Sequence, residues 1–278
     1  MFSFIGNPMR NILLAAVVIA ALAGGGLFAV RWSRSHNPPS VENPGNSFRR
    51  PPPNTATSTG AAPHITYPLA EHVPPYIGEA VRELHADAVF LKTVPPETYA
   101  AHLAELARLD ADLATNPGRT DLWMRVAYLK YNYDDYAGAR DAYEYLNRIA
   151  DGNSVPFYNL AVLYGYNLKQ PALAIPKFKA AIRRDPQNIS FQIGFADFYR
   201  EVVHELPRAQ EVLLQALERV PANVDVYSSL ASLEVEMKNI PKAIGYYELA
   251  LKQPSISPGP KQAIEIEIER LKKLLPPS

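Results

Sequence analysis

Hydrophobic and polar positions along this chain fall into three successive regimes. From Asn11 to Val30 there are 20 residues without a charge, about the length a helix needs to cross a ~30 Å hydrocarbon layer. Arg10 precedes the run and Arg31, Trp32 and Arg34 follow it, placing cations and an aromatic at both interfaces. Residues 37–75 then hold ten of the 26 prolines and only four charged side chains. That composition buries too little apolar surface to offset chain entropy and predicts an extended, disordered tether. From Tyr76 onward the spacing turns helical. Ile77, Val81, Leu84, Ala88 and Leu91 share one predicted face, and Pro95-Pro96 breaks it. A second helix is predicted over 97–115, with Tyr99, Leu103, Leu106, Leu109 and Leu113 as its stripe and Asn116-Pro117 at its end.

Beyond this point the apolar pattern repeats. Ala139, Ala174, Ala209 and Ala243 are separated by 35, 35 and 34 residues. Tyr143, Phe178, Leu213 and Tyr247 follow them at four residues, and Leu146, Ala181, Ala216 and Ala250 three further on. Self-similarity at a fixed period marks a solenoid, whose units bury their apolar faces only against neighbours. A last stripe, Ile264, Ile268, Leu271 and Leu275, predicts a helix over 260–275 that covers the open end.

The repeats resemble the tetratricopeptide (TPR) family, a 34-residue helix–turn–helix unit with the pattern W-x2-L-G-x2-Y, A-x3-F, P. Trp123, Val126 and Ala127 open the first; Phe157, Leu160, Ala161 and Tyr164 the second; Phe195, Ala196 and Tyr199 the third; Tyr227, Leu230 and Ala231 the fourth. Pro186, Pro221 and Pro254 stand at or near the closing position. The resemblance implies an all-α, TPR helical-hairpin solenoid, wound as a right-handed superhelix, and the apolar run puts one N-terminal transmembrane helix ahead of it. Small residues on facing helices allow close approach and the rings fill the gaps at either side. Ala127 to Ala139 and Ala231 to Ala243 span 12 residues, but Ala161 to Ala174 and Ala196 to Ala209 span 13. This predicts one extra residue in the turns of repeats two and three. Pro176 lies inside a second helix, an easy fit only in its first turn. The expected organisation is a tail over 1–10, a transmembrane helix over 11–31, a Pro-rich linker over 32–75 and a capping helical hairpin over 76–117. Four repeats over 118–256 and a capping helix over 257–278 complete it.

Composition narrows the function classes. Lys+Arg and Asp+Glu are 28 each, and the 76–278 region carries 23 basic against 26 acidic residues. No field therefore draws nucleic acid to the repeats. The absence of cysteine removes disulfides, thiolate metal sites and cysteine nucleophiles. The six histidines offer no H-E-x-x-H and no pair at helical ligand spacing, and neither a G-x-S-x-G elbow nor a phosphate-binding glycine loop occurs. Glu83, His85 and Asp87 point in different directions if helical, and His102 with Glu105 reads as a solvated pair. The expectation is a chain without catalytic residues, metal, cofactor or small-molecule substrate.

In TPR proteins the first helices line a concave groove for an extended peptide or partner helix. Carried over, that groove presents Met124, Tyr128, Tyr131 and Asn132, then Tyr158, Asn159, Val162 and Tyr166, then Ile193, Asp197 and Arg200, then Ser228, Ser229, Ser232 and Glu236. Nine of the sixteen tyrosines lie between 128 and 166, and tyrosine pairs apolar area with a hydrogen-bonding tip. The five places where some TPR domains clamp a carboxylate hold Met124, Tyr128, Asn159, Ser190 and Gly194 here, so acidic tails are not the expected ligand. The reading is a single-pass membrane scaffold that binds a protein or peptide; the alternative is an envelope or secretion-assembly component acting by self-association or convex-face docking. Ala21-Leu22-Ala23 leaves a cleavable signal peptide open. A short tail ahead of one anchor favours an extracytoplasmic globular part, whereas Arg31, Arg34, Arg49 and Arg50 favour a cytoplasmic one.

Overall fold

A computed structural model describes residues 73–86 and 88–276. The tail, the expected transmembrane helix over 11–31 and nearly all of the linker lie outside the described residues. Among those described, no helix is long and apolar enough to cross a membrane. The helices are α1 (Ala88–Leu91), α2 (Pro96–Thr115), α3 (Thr120–Asn132), α4 (Tyr136–Ile149), α5 (Ser154–Val162), α6 (Pro171–Arg184), α7 (Ile189–Phe198), α8 (Leu206–Arg219), α9 (Val224–Glu236), α10 (Ile240–Leu251) and α11 (Pro258–Lys272). π-Helical turns, Leu163–Asn167 and Tyr199–Val203, prolong α5 and α7. The chain divides into two compact units, one ending at His204 and the other starting at Glu205. The two helices of the third repeat therefore belong to different units.

In the first unit α3 pairs with α4 and α5 with α6; in the second, α9 pairs with α10. All eight alanines of the two ladders are at most 3% exposed, as close helix crossings require. Helix starts are written locally. Asp135, Asn153 and Asn223 accept from Gly138 N, Val155 N and Val226 N at 3.0–3.1 Å, filling donors a helix start leaves open. Proline opens α2, α6, α8, α10 and α11, where a missing N–H costs nothing. In the second unit Ile264, Ile268 and Leu271 of α11 pack onto Ala243, Tyr247 and Ala250, as the apolar stripe predicts.

Two expectations are corrected, and the open question at Pro176 is decided. The extra residue of repeats two and three is not in their turns. Each turn places one residue in the left-handed region (Asp134, Lys169, His204, Lys238; φ 56–61°), always five before the second-helix alanine. The insertion therefore lies upstream, inside the first helix, where it widens the last turn to π geometry. Pro176 sits well beyond the first turn of α6; it and Ala172, whose carbonyl it leaves without a helical donor, are both exposed.

The second correction concerns the lead-in. Residues 73–86 are not a helix but an extended strap with two short turns, and only Ala88–Leu91 is helical. The strap lies on α3 and α4. Tyr76 packs against Trp123 and Tyr145, ring centroids 4.5 and 5.4 Å away, and Val81 is buried. Pro74-Pro75 at its start disfavours helix. The aromatic cleft takes Tyr76 at a cost in apolar periodicity that Ile77 reveals, being 80% exposed. α2 forms as expected, burying Leu106, Leu109 and Leu113.

Candidate functional site

Along the first helices of the first unit, Met124, Tyr128, Tyr131, Asn132, Tyr158, Asn159, Val162, Tyr166, Ile193 and Arg200 are half-buried and Asp197 is buried. A polar cluster forms at the two π turns, because each extra residue rotates the downstream side chains relative to a plain α-helix. Arg200 Nη2 sits 2.9 Å from Asp197 Oδ1 and 2.7 Å from Glu201 Oε1. The Tyr166 ring meets Phe198 edge-on at 6.1 Å. Its hydroxyl is buried and has no hydrogen-bond partner among the described residues. Burial raises the Tyr166 pKa far above the phenol value, Glu201 and Asp197 raise it further, and Arg200 opposes them. The phenol is thus held as a neutral donor.

Beside this cluster Tyr131 Oη donates to Asn167 Oδ1 at 3.3 Å, and Asn159 Nδ2 donates to the buried Tyr143 hydroxyl at 3.4 Å. Tyr128 lies under the Arg125 guanidinium, 5.6 Å from its ring centroid. Tyr158 has a different use. It stacks on Phe191 at 4.7 Å and meets Phe178 edge-on. A Cβ at Gly194 would collide with its hydroxyl, so glycine there is what admits the ring. Met124, Asn132, Val162 and Ile193 lie on the same helices without entering the polar cluster. In the second unit Ser228 donates to its own helix at Val224 O, and Ser232 bonds the Tyr247 hydroxyl.

Sequence reasoning missed Glu201, the chain neighbour of Arg200, and Asn167, which ends the first π turn and meets Tyr131. The 13-residue spacing was the available signal. It also missed a group of candidate metal donors: Glu79, His85 and Asp135 bring one ligand atom each to within 4.8 Å of one another. Asp135 Oδ2 is already bound by the Lys130 ammonium at 2.9 Å, a cation where the metal would have to sit. His102 is not solvated with Glu105 either. Its Nδ1 contacts the Tyr133 hydroxyl at 2.7 Å, and Glu105 accepts from Nε and Nη2 of Arg125 at 2.6 and 2.8 Å. That hydrogen bonding holds the Glu105 carboxyl below its usual range against an opposing desolvation.

Neither a protein-family profile nor any curated protein matches this chain. Solved structures similar to it include the following three. YrrB, described as a TPR protein with an unusual peptide-binding site, is 18% identical with a TM-score of 0.46, over 63% of this chain and 86% of that one. MamA protein is 12% identical with a TM-score of 0.47, over 58% and 90%. TTC0263, a thermophilic TPR protein of Thermus thermophilus, is 18% identical with a TM-score of 0.43, over 64% and 95%.

Proposed function

We propose that this protein is a non-catalytic, TPR-like scaffold that binds an extended protein segment along the first helices of its repeats. The supporting observation is the Tyr166 hydroxyl, buried beside Asp197, Arg200 and Glu201 with no partner among the described residues. A buried hydroxyl left unpaired costs about 1–3 kcal/mol, and in this reading Tyr166 turns outward on binding so that a peptide carbonyl accepts from it and removes that cost. Asn159, Asn167 and Tyr131 add side-chain amides and a phenol along the same helices, suited to a ligand's backbone. In this reading residues 11–31 tether the scaffold to a membrane and 32–75 act as spacer, with the globular part on the extracytoplasmic side. Residues 76–117 lead into four repeats over 118–256, closed by 257–278. Self-association is the alternative, for which Ile266 and Leu274, 63% and 57% exposed, offer apolar surface.

The test uses the full chain in detergent as bait, with quantitative mass spectrometry of the proteins it retains. Tyr166→Phe combined with Arg200→Gln should lose the specific partners at least ten-fold while helicity stays intact. Retention of every specific partner by the double variant would show the face to be the wrong one.

A further inference from the structure

The strap is held as a peptide ligand is held, chiefly through its backbone. Tyr145 Oη donates to Pro74 O at 2.8 Å, and Lys130 Nζ donates to Glu83 O at 2.5 Å. Glu79 N donates to Asp141 Oδ2 at 3.0 Å, and His85 N to Asp135 Oδ2 at 3.3 Å. All four partners stand on α3, on α4 or in the turn between them, and they are 47–71 residues away in sequence. Side-chain specificity comes from two places. Tyr76 enters the cleft of Trp123 and Tyr145, whose own centroids are 4.6 Å apart. At Gly78 any Cβ would lie 2.5 Å from Asp141 Cβ and from the Tyr76 hydroxyl.

The receiving surface is one that a helix covers elsewhere in the fold. Lys130, Tyr164 and Glu234 each stand three residues after a first-helix packing alanine. Tyr164 reaches back to Glu144 of the preceding α4 at 2.9 Å. Glu234 reaches Gln210 of the preceding α8 at 2.5 Å. In the first repeat the same position meets the strap carbonyl instead. A packed helix brings its backbone already satisfied by its own ladder. This strap brings open carbonyls and amides, and the surface supplies Lys130, Tyr145, Asp141 and Asp135 to meet them.

We propose that the outer face of α3 and α4 is an extended-peptide site that reads Tyr-x-Gly, filled in cis by residues 73–86 and by the same segment of a second copy when the strap releases. It is separate from the face with Tyr166 and does not depend on that reading. A strap tied to its own site competes at an effective concentration in the millimolar range, so it masks the site from any weaker ligand in trans.

A fluorescein-labelled peptide of residues 73–86, titrated into the full chain by fluorescence polarisation, tests this. The Tyr76→Ala chain should bind the peptide at least ten-fold more tightly than the wild-type chain. Gly78→Val in the peptide, or Asp141→Asn added to the Tyr76→Ala chain, should each weaken that binding several-fold. Absence of saturable binding by a helical Tyr76→Ala chain overturns the proposal, as does binding indifferent to both changes. Should Tyr76→Ala not fold, hydrogen exchange of the wild-type chain decides. The Glu79 and His85 amides must exchange faster than the buried amides of α4; exchange only on global unfolding makes the strap a permanent part of the core and refutes a releasable site.

Discussion

Replacing Lys130 by methionine tests whether the strap end of the molecule rests on a buried charge pair. The Lys130 and Asp135 side chains are 0% and 1% exposed, with Nζ and Oδ2 2.9 Å apart. Methionine matches the lysine stem in length but leaves the Asp135 carboxylate facing only Gly138 N at 3.1 Å and His85 N at 3.3 Å. An uncompensated buried charge costs about 3–5 kcal/mol. The double variant Lys130→Met with Asp135→Asn removes the charge and keeps an oxygen for the α4 cap. Its remaining cost is the lost hydrogen bonds, about 1–2 kcal/mol together. Urea unfolding followed by Trp123 fluorescence, in a Trp32→Phe background, reports this end of the chain, because Trp123 packs on both Tyr76 and Tyr145. The double should therefore be more stable than Lys130→Met alone, a coupling read from the complete cycle. A Lys130→Met cost below about 1 kcal/mol, or single costs that simply add in the double, would refute a compensated buried pair.

Two glycines should respond oppositely to alanine. At Gly165 the new Cβ would lie 2.5 Å from the Phe198 ring, so overpacking should cost about 1–3 kcal/mol; at Gly245, inside α10 with nothing within 4 Å, helix propensity should gain up to about 1 kcal/mol. Thermal melts of the two variants check this, and equal shifts would contradict the packing described. His102 links stability to pH. Burial, assisted by Arg125 and opposed by Glu105, lowers its pKa below 6.5. The unfolded chain then takes a proton before the native one, so stability is full above that value and falls as pH drops toward the lowered native pKa. Urea midpoints between pH 8 and 5 should slope down in the wild type and flatten in His102→Gln; parallel slopes would remove His102 as the cause.

The helices and their pairing alanines were legible in the sequence because each is a strictly periodic property. The ladder from Ala139 to Ala243 writes the crossings at a fixed period, whereas the caps at Asp135, Asn153 and Asn223, though equally local, emerged only with the structure. The candidate face was half legible. Tyr166, Asp197 and Arg200 were placed by register, but Tyr158 belongs to the packing of Phe178 and Phe191, which only Gly194 on another helix permits. The 13-residue spacings announced an insertion without locating it; a π turn and a longer loop have the same length in sequence. Least legible was the strap. Ile77, Val81, Leu84, Ala88 and Leu91 are spaced as a helix would space them, yet the segment is drawn out by Lys130, Asp135, Asp141 and the Trp123–Tyr145 cleft. By itself the sequence determined which segments are helical repeats. The tertiary structure decided what covers their first face, because contacts 47–71 residues apart outweighed a local preference worth only tenths of a kcal/mol per residue, about the spread of helix propensities.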